Sequence, residues 1–120
     1  MKILLVDDDA FLRDMYATKF SEAGCDVSVA AHAEEALQTL ERESHDVVLL
    51  DMVMPGMSGL ELLQAISEHG ITVKAIVLSN QGEQSDISAA TDAGAIGYII
   101  KAESIPSEVV TKVTALVEGK

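Results

Sequence analysis

The strongest constraint on this chain is a rhythm. Short apolar runs at residues 3–6, 47–50, 75–78 and 96–100 alternate with longer stretches whose apolar residues fall three and four apart. Runs of four or five residues are too short for helices and read as strands buried on both faces. Between them, Phe11, Leu12, Met15, Tyr16, Phe20 and Ala23 mark an amphipathic helix over 11–23 that Gly24 stops. The pattern continues with a strand over 26–30 and helices over 33–43, 60–69, 83–93 and 106–117, the last opening on Pro106. Buried strands joined by helical crossovers must lie parallel, with right-handed connections and helices on both faces. The expected fold class is therefore α/β, a three-layer sandwich of five strand-then-helix units. At 120 residues one core fills the chain, so a single domain over 1–120 is predicted.

Composition narrows the function classes. Eight basic against 20 acidic residues give a net charge of −12, which argues against direct binding of nucleic acid or of an anionic membrane surface. With aromatics at 3%, the core is expected to be aliphatic. Cys25 is the single cysteine, which rules out an internal disulfide and reads as a small buried apolar residue. No apolar run approaches a membrane span, and the amino terminus does not read as a signal peptide, so a cytoplasmic location is predicted.

The chemistry is suggested by where polar residues end the apolar strands. Asp7 and Asp8 follow the first strand, Asp51 the third, Ser79 the fourth and Lys101 the fifth. In an open parallel sheet those ends meet at one edge, where ligands bind. Individually each residue reads as a helix cap, a turn residue or a surface charge. Together they place three carboxylates, a hydroxyl and an ammonium in one pocket, a coincidence that points to function. Clustered carboxylates need a proton or a cation, and Mg²⁺, with Mn²⁺ as an alternative, suits all-oxygen donors. A carboxylate can also attack phosphorus, and Asp51, lying between the acidic pair and Lys101, is the natural nucleophile. Lys101 would offset phosphoryl charge and Ser79 would donate a hydrogen bond to a phosphoryl oxygen.

Four segments carry a family resemblance: Ile3-Leu4-Leu5-Val6-Asp7-Asp8-Asp9, the stretch from Val47 through Leu50-Asp51-Met52-Val53-Met54-Pro55-Gly56 to Gly59, Val77-Leu78-Ser79-Asn80, and Gly94 through Tyr98 to Lys101. Over essentially the whole chain the sequence resembles bacterial response-regulator receiver domains of the chemotaxis-regulator kind. The resemblance implies a flavodoxin-like (βα)5 fold with strand order 2-1-3-4-5. It implies a two-component phosphorelay switch in which Asp51 accepts a phosphoryl group from a sensor histidine kinase or a histidine phosphotransfer protein. Mg²⁺ would be held by Asp7, Asp8, Asp51 and the backbone carbonyl of Val53. Ser79 and Tyr98 would form the switch, with Tyr98 rotating into space vacated as Ser79 is drawn to the phosphoryl group. A downstream protein target, or an output domain absent from this chain, would read the change. No independent substrate turnover is expected beyond assistance to the domain's own phosphoryl transfer and hydrolysis.

Two departures from the family pattern stand out. Ala102 replaces the usual proline after the site lysine, leaving open whether Lys101–Ala102 is cis, at a cost of roughly 2.5 to 4 kcal/mol, or trans. The last helix carries only Lys112 and Lys120 as basic residues, against a dimer held by charge pairs there. His32, His45 and His69 are expected at the surface, Met52, Met54 and Met57 as loop packing, and the Gln81 side chain either in solvent or ordering a hydrolytic water. Two rival readings are an aspartyl-phosphate hydrolase, disfavoured because Val53 stands where its second acid belongs, and a phosphorylation-independent interaction module. A free-standing domain acting by docking is expected rather than one cut from a longer regulator.

Overall fold

A computed structural model describes residues 1–119; Lys120 lies outside the described residues. The chain runs β1 (Lys2–Val6), α1 (Ala10–Glu22), β2 (Asp26–Ala30), α2 (Ala33–Arg42), β3 (Val47–Leu50), α3 (Gly59–Glu68), β4 (Lys74–Ser79), α4 (Gln84–Asp92), β5 (Gly97–Ile100) and α5 (Pro106–Glu118), with a 3-10 turn at Lys101–Glu103. All strand pairs are parallel and the order is β2-β1-β3-β4-β5, as the resemblance implies.

The period-two alternation of the strands divides the interior into two cores. Leu4, Val6, Val48, Leu50, Ala75 and Val77 face α2, α3 and α4, where Ala36, Leu40, Leu62, Leu63, Ile66 and Ala90 complete an aliphatic layer. Ile3, Leu5, Val47, Leu49, Ile76, Leu78 and Ile99 face α1 and α5, meeting Tyr16, Phe20, Val109 and Val113. Both buried α1 aromatics therefore sit on one side of the sheet.

Helix starts follow local chemistry. Asp9 caps α1 by accepting the Leu12 N–H at 3.1 Å. At α3, Ser58 and Glu61 form a reciprocal capping box.

Three expectations are corrected. Phe11 is 76% exposed, because Leu12, Tyr16 and Phe20 form the stripe of α1 that meets the sheet and Phe11 lies about 100° around the helix from it. Ala23 is exposed just past the end of α1. Cys25 is only half-buried, because it stands at the rim between α1 and β2. Met52 and Met54 are buried against the α2–α3 core, with Met57 packed beside them. None of the described helices is long and apolar enough to cross a membrane.

Candidate functional site

The register fixes which residues share the carboxyl edge. Val6 is level with both Ala30 and Leu50, and Ser79 with Ile100, so Asp7, Asp51 and Lys101 leave their strands at neighbouring points. The chain reverses its direction of winding between β1 and β3, and the crevice opens at that place.

Lys101 reaches into the crevice from the 3-10 turn after β5. Its Nζ donates to Asp7 Oδ2 at 2.7 Å and to Asp51 Oδ2 at 2.9 Å, with side-chain exposures of 7%, 3% and 14% for Lys101, Asp7 and Asp51. Burial pushes the Lys101 ammonium down, but the hydrogen bonds and charges of Asp7 and Asp51 outweigh it and hold its pKa above the ordinary lysine value. Every peptide bond among the described residues is trans, Lys101–Ala102 included, so the ammonium reaches both carboxylates without a cis bond.

The carboxylates have distinct surroundings. Asp7 Oδ1 accepts the Asp9 N–H at 3.0 Å, and Asp51 Oδ1 accepts the Val53 N–H at 3.2 Å. Asp8 is exposed, yet Asp7, Asp8 and Asp51 each offer an oxygen within 4.8 Å of the others. Three carboxylates against one ammonium leave the pocket negative even with Lys101 in place. The donor set is all oxygen and under-neutralised, which fits a hard divalent cation. The Val53 carbonyl has no hydrogen-bond partner among the described residues, while its side chain is 55% exposed.

Ser79 is 1% exposed at the end of β4, and its Oγ accepts the Gln81 N–H at 3.2 Å. The Tyr98 hydroxyl donates to the Gln81 carbonyl. Burial raises the Tyr98 phenol above its ordinary pKa, Asp86 and, more weakly, Asp51 add to the rise, and the neighbouring Ser79 side chain opposes it. The Gln81 backbone thus bridges Ser79 and Tyr98, with its residue exposed. The Tyr98 hydroxyl thus rests on the loop after β4.

Three contributors were missed from sequence. Arg13 lies among the polar positions of α1, yet its Nη1 donates to the Asp7 carbonyl at 3.0 Å. Glu34, in the first turn of α2, accepts the Met57 N–H at 3.4 Å and so ties α2 to the loop after Asp51. At Gly59 a Cβ would stand 2.1 Å from the Asp51 carbonyl oxygen, so α3 begins in contact with backbone that only glycine permits.

His45 overturns the surface expectation. It is 6% exposed, its Nδ1 lies 3.2 Å from the Glu43 carbonyl, and its Nε2 has no partner. The short connection from α2 into β3 tucks it beside Leu40, Ile71 and Val73 at the opposite edge of the sheet. His32 and His69 are exposed, as expected.

Comparison with known proteins bears on the whole arrangement. The family model described as the response regulator receiver domain matches residues 3–114. The two-component response regulator PhoP of Pseudomonas aeruginosa is 36% identical over 101 residues, covering 84% of this chain and 45% of that protein. A protein-glutamate methylesterase/protein-glutamine glutaminase of Myxococcus xanthus is 36% identical over 111 residues, which are 90% of this chain and 32% of it. The chain thus spans half or less of the length of these relatives. Among solved structures, the Francisella response regulator 1452 receiver domain superposes with a TM-score of 0.90 at 29% identity, covering 98% of this chain and 97% of that one. Vibrio cholerae chemotaxis protein CheY4 does so with a TM-score of 0.89 at 26% identity, covering 96% and 97%. With the crevice, the sheet order and the family match in agreement, this chain belongs to the response regulator receiver domains of two-component systems.

Proposed function

We propose that the chain is one receiver domain over 1–120 and works as a phosphorylation-controlled switch with Asp51 as phosphoacceptor. The observation that carries this reading is the convergence of Lys101 on Asp7 and Asp51 beside the three-carboxylate cluster. A carboxylate oxygen of Asp51 forms a bond to phosphorus as the P–N bond of a phosphohistidine breaks, and the electron pair of that bond returns to the imidazole. The histidine belongs to a sensor kinase or a histidine phosphotransfer protein. Asp7, Asp8, Asp51 and the Val53 carbonyl would hold Mg²⁺, or Mn²⁺ in its place. When bound, the cation offsets charge on the phosphoryl oxygens.

The protein's own residues do the rest. Lys101 supplies a buried positive charge beside the new phosphoryl group. Ser79 already accepts from Gln81 through Oγ, which leaves its hydroxyl proton available for a phosphoryl oxygen. Drawing Ser79 toward Asp51 pulls on the Gln81 backbone, and Tyr98 follows because its hydroxyl is bonded to the same residue. The β4–α4 loop and the face of β5 around Tyr98 then present a changed surface to a downstream protein target or an output domain, in the cytoplasm and without direct nucleic-acid contact. The domain assists its own phosphoryl transfer and hydrolysis and turns over no separate substrate.

Incubation with acetyl phosphate and Mg²⁺ followed by intact-mass measurement tests the reading. Wild type is expected to gain one phosphoryl group, and Asp51→Ala none. EDTA is expected to abolish the gain. If wild type gains no mass and a matched kinase also fails to label it, the interaction-module reading replaces this one.

A further inference from the structure

Asp7 stands one residue beyond the sheet ladders on both sides, since β1 pairs last through Val6 with Ala30 and with Leu50. Its N–H still reaches the Ala30 carbonyl at 3.2 Å, but its own carbonyl lies past the last rung. Asp7 is 2% exposed, so this carbonyl needs a donor from the protein. Arg13 Nη1 supplies it at 3.0 Å and is its partner among the described residues. The half-buried guanidinium forms no ion pair among the described residues, so its bond to this carbonyl is its main anchored contact.

The carbonyl of Asp7 and the N–H of Asp8 share one rigid peptide plane. Holding that oxygen therefore sets the direction in which the chain enters Asp8. The other two carboxylates of the cluster are fixed by side-chain bonds, Asp7 to Asp9 and Lys101, Asp51 to Val53 and Lys101. The Asp8 carboxylate has no such bond among the described residues, so the backbone alone places it within 4.8 Å of the others.

We infer that Arg13 is a positioning residue for the divalent cation, orienting the Asp7–Asp8 peptide so that the Asp8 carboxylate joins the cluster. The inference rests on the metal-binding reading proposed above. Removing the guanidinium leaves the bonds of Asp7 to Asp9 and Lys101 intact, so cation affinity falls while the fold holds.

Calorimetric titration of the metal-free protein with Mg²⁺ alone, paired with thermal melting in EDTA, tests it on wild type, Arg13→Met and Arg13→Lys. Arg13→Met is expected to bind about tenfold more weakly, while still melting in one cooperative step lowered by about 5 to 10 °C, the cost of one buried carbonyl left without its donor. Arg13→Lys, which restores one charged donor, is expected to fall between the two. Wild-type affinity in Arg13→Met, or a lowered melting temperature with affinity unchanged, overturns the inference and leaves the metal site standing. Absence of Mg²⁺ binding by wild type overturns the metal-site reading itself. If Arg13→Met does not fold, Arg13→Gln, too short to keep the contact, decides by the same criteria.

Discussion

At the carboxyl edge of the sheet, Lys101 is buried between Asp7 and Asp51 at 2.7 and 2.9 Å. At the amino edge, Lys2 meets Glu43 at 3.8 Å and His69 meets Glu41 at 2.7 Å, with every partner at least about a third exposed. Both edges pair a lysine with carboxylate, but the energetics differ. In solvent each charge keeps most of its hydration, and a pair contributes little. In the crevice Lys101, Asp7 and Asp51 lose most of their hydration, and two carboxylates share one ammonium. The amino edge has its own buried polar group, His45, yet nothing there converges on it: its Nε2 is unpartnered and Glu41 is engaged with exposed His69. One edge concentrates charge in a buried cluster, and the other disposes of it one pair at a time.

Three substitutions sharpen or break this contrast. Lys101→Met leaves a buried carboxylate pair without its cation and is expected to cost about 3 kcal/mol in urea unfolding in EDTA. Part of that loss should return in millimolar Mg²⁺. A cost near zero in both conditions would put the crevice in the same class as the surface pairs. His45→Leu removes a desolvated nitrogen together with one bond to the Glu43 carbonyl, and is expected to stabilise the protein by about 1 kcal/mol. A clear loss of stability would reveal that the imidazole has a structural partner, such as an ordered water. Lys2→Met is expected to stay within about 0.5 kcal/mol of wild type by the same unfolding measurement. A larger effect would show that the amino edge also relies on its charges.

Much of the fold was legible because strand burial imposes a pattern on consecutive residues. The runs at 47–50 and 3–6 are buried on both faces and pair in step from Ile3 with Val47 to Val6 with Leu50. Strand ends were less legible: β4 extends through Lys74 and Ser79, since ladder bonds continue through polar residues that hydropathy excludes. Phe11 misled for a related reason, because periodicity identifies a helix without saying how wide its buried stripe is. At the site, Asp7, Asp8, Asp51, Ser79 and Lys101 were visible as polar interruptions at the ends of apolar strands. Arg13, Glu34 and the Gln81 backbone were not, because their contributions pass through hydrogen bonds to or from main-chain groups, which residue type does not mark.

By itself, the sequence determined the layered α/β architecture and the set of charged residues at one edge, since hydrophobic burial and chain direction are properties of residue order. Only the tertiary structure decided that a trans Lys101–Ala102 peptide still aims the ammonium at two carboxylates, that Gln81 links Ser79 to Tyr98, and that Arg13 holds the peptide before Asp8. Such contacts depend on directions and distances of a few ångströms across the fold, and residue identity and spacing along the chain do not encode these separately from the packing that produces them.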